Sequence, residues 1–319
     1  MAKNLSAIRV KVPATSANLG PAFDSGGLAL SLFDEIEVSF TDSPGVQVDI
    51  DGYGRNTLPR NQDHLIAKVM LQVFETLDTP VAGLYLRCIN KIPHGRGLGS
   101  SAAAITAGVV AARALAGEAS SRMDDAGALD FATKIEGHPD NVAACLLGGF
   151  TISWTDSHQH HTESEKLNAH KHIHSDGIHS HAVKLQVNSE VVPVIFIPKF
   201  EMETKKARLL LPSHVPHRDA AFNVARSALL VHALTNDPEL LFIATEDKLH
   251  QPYRRNAMQT TGNLIQSLRS RGVAAMISGA GPAVLVLTTK AELATVREFE
   301  HPDFSMQVLE VSPVGAQVY

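Results

Sequence analysis

Apolar and polar residues alternate through AIRVKVPAT (7–15), DEIEVSF (34–40) and GVQVDI (45–50), which predicts strands. The period then changes. In NQDHLIAKVMLQVFETL (61–77), Leu65, Val69, Val73 and Leu77 recur at helical spacing. GLYLRCINKI (83–92) reads as a strand that leads into the glycine-rich stretch KIPHGRGLGSSAAAI (91–105). The Ala/Val/Ile-rich run from Leu98 to Leu115 predicts a buried helix, and 122–137 a second helix ending at Gly137-His138-Pro139. A short helix over 140–149 and a strand over 150–154 follow. Beyond them the pattern predicts strands at 183–188 and 191–197 and helices near 203–211, 217–235, 239–248 and 256–271. VAAMISGAGPAVLVLT (273–288) reads as strand, glycine turn, strand, then a helix over 291–300 and a strand over 306–312. Helices and strands mix without a strict βαβ period and without an internal repeat, so an α+β chain of two domains is expected.

A length of 319 residues agrees with two packed domains. The formal charge of −5 provides no basic field for nucleic acid. Cys88 and Cys145 both sit in apolar runs, as buried thiols of a reducing compartment do. No run approaches the roughly 20 apolar residues of a membrane span, and the start of the chain lacks a signal-peptide core. A cytoplasmic protein with no membrane partner is therefore expected.

Eight of the 16 histidines fall between His158 and His181, within a polar, aperiodic stretch. We expect residues 156–182 to be an exposed insertion between a domain at 1–155 and another at 183–319. Alternating imidazoles such as His170, His172 and His174 can chelate Zn²⁺ or Ni²⁺. No cysteine or framed carboxylate cluster completes a site there, so a solvated loop that binds metal incidentally is the plainer reading.

A strand, a glycine-rich turn and a helix start form a natural anion site, because unpaired backbone N–H groups and the helix dipole converge there. Three familiar phosphate or nucleophile patterns fail. No lysine follows Gly99, Gly95, Gly97 and Gly99 are spaced by two, and Ser101 is followed by Ala102-Ala103. A tightly packed helix start capped by serine is the structural alternative.

From Pro93 to Ala102 the letters P-x-x-x-G-L-G-S-S-A resemble the phosphate-binding motif of the GHMP kinases. VPATSANLGPAFDSGGLAL (12–30) resembles their N-terminal motif in its homoserine kinase form, and SGAGPAVLVL (278–287) the C-terminal glycine motif. EGHPDNVAACLLGG (136–149) and HQPYRR (250–255) are also similar to the homoserine kinases. The chain departs from the usual letters at Ala22, at Gly26-Gly27 and within SGAG (278–281). The resemblance implies a two-domain fold, with an N-terminal α/β domain containing a left-handed crossover and a C-terminal ferredoxin-like domain. ATP and the acceptor would bind between them, and a homodimer is what the family suggests.

The implied activity is ATP-dependent phosphorylation of the L-homoserine hydroxyl in the route to threonine. ATP would be held by Pro93, His94, Gly95, Arg96, Gly97, Leu98, Gly99, Ser100, Ser101 and Ala102. Mg²⁺ would take Ser101 and Glu136, whose hard oxygens suit it; otherwise Glu136 is a solvated helix-end carboxylate. Asn18, Asp24, His138, Asp140, Arg208 and Arg254 match substrate-side positions. Asp24 could instead be a turn residue, and His138 a neighbour of a helix cap. Related sugar and mevalonate kinases place an aspartate base near Asn141, and an amide accepts no proton. This favours positioning and electrostatics over base catalysis. Two rivals stand: another GHMP kinase acting on a sugar or mevalonate, and a catalytically silent nucleotide- or metal-binding sensor.

Overall fold

The computed structural model describes residues 7–156, 179–202 and 204–319. Two sheets organise them. The first begins with a long hairpin, β1 (Ile8–Asn18) and β2 (Ala22–Thr41), turning at Leu19-Gly20-Pro21. β3 (Gly45–Gly52) passes through helix α1 (Leu65–Thr76) into β4 (Gly83–Asn90). β3 and β4 pair in parallel, and a parallel pair requires such a crossover. Then come α2 (Ser100–Leu115), α3 (Asp125–Glu136), α4 (Pro139–Leu147) and β5 (Phe150–Asp156). β5 pairs with β2 across Gly26–Leu28 and with β6 (His179–Leu185) on its other side.

The second sheet has the order β10-β7-β9-β8, antiparallel throughout, with β7 Val191–Pro198, β8 Ala274–Ile277, β9 Val284–Thr289 and β10 Phe304–Val308. Helices α5 (Thr204–Leu209), α6 (His217–Thr235), α7 (Leu241–Ala244), α8 (Gln251–Arg254) and α9 (Gln259–Ser270) separate β7 from β8, and α10 (Leu293–Arg297) separates β9 from β10. This strand order is the ferredoxin-like arrangement expected. Both faces of the sheet are buried. Ile195, Leu285 and Leu287 join the main core with Leu230 and Leu234 of α6, whereas Val194, Phe196, Val284 and Val286 pack with Leu264 and Leu268 of α9. Alternate side chains thus serve two cores, which explains the unbroken apolar run in β7.

Strand pairing crosses the boundaries expected from sequence. His179–Ala182, placed in the insertion, are part of β6, and β11 (Gln317–Val318) returns to pair with β1 in the first sheet. The tail strand covers an edge that would otherwise expose unpaired backbone. The rest of the expected histidine-rich insertion, 157–178, and residue 203 at the start of the expected 203–211 helix lie outside the described residues. The helix expected over 239–248 is instead a 3₁₀ turn, Pro238–Leu240, followed by the single turn of α7. The Thr245 hydroxyl bonds back to Leu241 O at 2.8 Å as that turn ends.

Candidate active site

The glycine loop between β4 and α2 is shaped by three left-handed residues, Gly95, Gly97 and Gly99, with φ of 62°, 73° and 67°. A Cβ at Gly97 would run into the Ser278 carbonyl, and one at Gly99 into the Thr15 hydroxyl. Both space and φ therefore demand glycine. The loop's carbonyls are all engaged by its neighbours. Met202 N–H donates to Gly95 O (2.9 Å), Ala283 N–H to Arg96 O (3.2 Å), the Ser278 hydroxyl to Gly97 O (2.6 Å) and Thr15 N–H to Leu98 O (3.1 Å). With four successive carbonyls pulled outward, the loop offers N–H groups beside the start of α2. That is the polarity an anion needs.

Gly95, Gly97, Gly99, Ser100 and Ser101 form one wall of a cavity of about 150 Å³. Asn18, Asp24, Glu136, His138, Asp140, Asn141, Arg208 and Arg254 line the rest, together with Gly279. The structure thus brings to one place every residue expected for catalysis, metal and acceptor. The remaining loop residues are elsewhere. The Arg96 guanidinium turns away to Pro198 O (2.8 Å), His94 O (3.0 Å) and Glu201 (3.1 Å). Pro93, Leu98 and Ala102 are buried, and His94 faces a second cavity.

α3 ends at Glu136, because Gly137 takes φ 94° and breaks the helix before α4 starts at Pro139. That break aims Glu136 at the first turn of α2, where the Ser101 hydroxyl donates to Glu136 Oε2 at 2.7 Å. Burial pushes the Glu136 pKa up, against the Ser101 hydrogen bond that favours the carboxylate. A hydroxyl and a carboxylate oxygen side by side, the carboxylate at the C-terminal end of α3, are hard donors that fit a cation such as Mg²⁺. Among the described residues no group of three or more His, Cys, Asp or Glu side chains forms a metal cage.

Asp140 Oδ1 accepts from Asn141 N–H (2.7 Å) and lies 2.6 Å from His138 Nδ1. Burial works against a charge on His138, but the Asp140 carboxylate outweighs it and the imidazole pKa is raised. Asn141 Oδ1 accepts the Thr15 hydroxyl at 2.7 Å, and its Nδ2 donates to Asp140 at 3.3 Å, so the amide is held from both ends. Across the cavity, Arg208 grips Asp24 with two bonds of 2.7 and 2.8 Å. Asp24 sits at φ 55°, and its N–H donates to Asn18 Oδ1 at 2.9 Å. Arg254 is only 2% exposed, and burial together with neighbouring Arg208 lowers its pKa to about 10.

The second cavity, also about 150 Å³, shares Ser100 and Ser101 with the first and is lined by Val12, Leu58, His64 and His94. His64 is 3% exposed, and among the described residues neither ring nitrogen has a hydrogen-bond partner. Burial, with His94 adding to it, brings its pKa down to about 4. Sequence reasoning missed His64, Thr15 and Phe23. A lone residue before a helix or within a strand gives no pattern to find.

Two domains facing each other across an anion-binding glycine cradle, with a cluster of charged residues opposite, define a small-molecule kinase fold. Residues 64–149 match the GHMP kinases N terminal domain, and 226–299 the GHMP kinases C terminal domain. The homoserine kinase of Streptomyces coelicolor is 48% identical over 313 residues, covering 98% of this chain and 94% of that one. That of Mycobacterium tuberculosis is 46% identical over 286 residues, covering 89% and 85%. A homoserine kinase structure from Cytophaga hutchinsonii superposes with a TM-score of 0.79 at 28% identity, covering 100% of this chain and 99% of that one. The chain belongs to the homoserine kinase family of the GHMP kinases.

Proposed function

We propose that the protein transfers the γ-phosphoryl group of ATP to the hydroxyl of L-homoserine, giving O-phospho-L-homoserine and ADP. The observation that carries this reading is the facing of two recognition surfaces across one cavity. The N–H-rich cradle lies on one side, and Asp24 with Arg208 and Arg254 on the other. An α-amino acid needs both signs of charge, an anion for its ammonium and a fork of donors for its carboxylate. A sugar or mevalonate presents no ammonium to Asp24. Among the described residues no helix is long and apolar enough to cross a membrane.

The loop of residues 95–101 holds the triphosphate through its N–H groups, and the base lies in the second cavity beside Ser100 and Ser101. Asp24 takes the homoserine ammonium, and Arg208 and Arg254 take its carboxylate, so the amino acid replaces the Asp24–Arg208 pair with its own two charges. Asn18, His138 and Asp140 complete the acceptor side. This grip aims the hydroxyl at the cradle. Ser101 and Glu136 would hold Mg²⁺, which when bound neutralises charge on the phosphate oxygens. Asn141 orients without accepting a proton, because an amide has no basic site at neutral pH. In a loose transition state the hydroxyl needs little deprotonation before transfer, and its proton leaves with the phosphoryl oxygens. Phosphorus NMR of the product tests the reading. A resonance split by two methylene protons is expected, whereas an acyl phosphate or a sugar phosphate overturns it.

A further inference from the structure

We propose that His250 is a positioning residue for substrate, its imidazole aiming Arg254 into the cavity while tying that arginine to the β1–β2 turn. This rests on the assignment of Arg254 to the homoserine carboxylate. His250 is fully buried, and its ring nitrogens are engaged on opposite sides. Nδ1 lies 3.1 Å from Arg254 Nη1, and Nε2 lies 2.8 Å from Gly20 O. A guanidinium nitrogen only donates, so Nδ1 is the acceptor and Nε2–H is the donor to Gly20. One neutral tautomer satisfies both contacts, and an imidazolium would break the first. Burial lowers the His250 pKa, against the Asp247 carboxylate 3.6 Å from Nε2, and so favours the neutral ring.

The surroundings restrict Arg254 further. Asp247 Oδ2 accepts from His250 N–H (3.1 Å) and Gln251 N–H (2.7 Å), fixing the start of α8. His250 and Arg254 are four residues apart there and lie on one face. Arg254 Nη1 also donates to Gly279 O at 3.2 Å and Nε to Ala207 O at 3.4 Å. Among the described residues Nη2 alone has no partner, which leaves it for a carboxylate. Phe23 closes the cluster, its ring 5.3 Å from that of His250 and 5.5 and 5.6 Å from the guanidinium carbons of Arg208 and Arg254. Among the described residues His250 is the one side chain among the Arg254 acceptors, and it connects an arginine of the second domain to the turn that leads into the Asp24 end of β2.

Steady-state kinetics of the full chain, with homoserine and ATP varied separately, test this. His250→Gln reaches the Nε2 position but vacates Nδ1. It is expected to raise the homoserine KM about tenfold and to leave the ATP KM within about twofold. His250→Asn puts an amide oxygen where Nδ1 was, and its homoserine KM should fall within about threefold of native. An unchanged homoserine KM in His250→Gln overturns the proposal. So does an Asn variant worse than the Gln variant, because the Gly20 contact would then be what matters. Thermal melts show whether each variant is folded. If His250→Gln is not, the Asn variant decides alone, and a rise of about tenfold in its homoserine KM overturns the proposal. Homoserine-dependent turnover by the native chain checks the underlying assignment separately. Its absence removes that assignment, whereas its presence with unmoved KM values removes only the role of His250.

Discussion

Arg208 and Asp24, 184 residues apart in the chain, meet in a bidentate pair with bonds of 2.7 and 2.8 Å at the edge of the cavity. Their side chains are 43% and 34% exposed, and a pair so wetted adds little to folding. In the proposed reading its value lies in recognition, each partner being a group that an amino-acid zwitterion would displace. Arg208→Lys removes the fork and keeps the charge. It is expected to raise the homoserine KM about tenfold or more while changing the unfolding free energy by less than about 1 kcal/mol. Initial rates and urea melts check both halves, and a large stability loss with an unmoved KM contradicts the assignment.

If Glu136 holds Mg²⁺ as proposed, it is expected to set an acid limb to the rate. Burial holds its carboxyl protonated to a higher pH than an ordinary glutamate, so metal-binding charge is lost early as pH falls. Because metal binding needs the carboxylate, more Mg²⁺ should move the limb to lower pH. In Glu136→Gln the limb should vanish along with most of kcat. For stability the sign is reversed: with the folded pKa above the unfolded one, the ionised form costs stability as pH rises through the raised value. Glu136→Gln should therefore melt higher than native at pH 8 and close to it at pH 4. A limb that ignores Mg²⁺ contradicts this role for Glu136.

Asn141 separates positioning from base catalysis. Its amide is pinned between Thr15 and Asp140, and an aspartate there would set a second carboxylate against Asp140. Asn141→Asp is expected to lower kcat without adding a productive pKa to the pH–rate profile. Faster turnover governed by a new carboxylate pKa would show that a base is useful here after all.

Gly97 is the point of the cradle walled by backbone alone, at φ 73° with the Ser278 carbonyl where a Cβ would stand. Gly97→Ala should raise the ATP KM by about tenfold or more and leave the homoserine KM nearly unchanged. The two KM values measured side by side decide this.

The cradle was legible because its function rests on backbone. Gly95, Gly97 and Gly99 stand out in the sequence as alternating glycines after a strand, and the helix of small residues after them is equally plain. Asp24, Glu136 and Arg254 could be named only through a family resemblance, since single charged residues give no periodic signal. Their meeting in one cavity depends on the β1–β2 turn, the Gly137 break and the folding of the second domain against the first. His64 and His250 were not found. What marks them is burial and the direction of their ring nitrogens, properties of packing between segments far apart in the chain. β2 is the corresponding case in the fold: residues 34–40 showed the alternation of a strand, but its Ala22–Phe33 half is buried more evenly, with two glycines, and lacks that pattern.

The most direct test is ADP release with MgATP across L-homoserine, mevalonate, galactose and no acceptor. Release that depends on homoserine and stays at background with the other three is the expected result. Release equal with and without acceptor, or a preference for the sugar or mevalonate, would contradict a homoserine-phosphorylating enzyme.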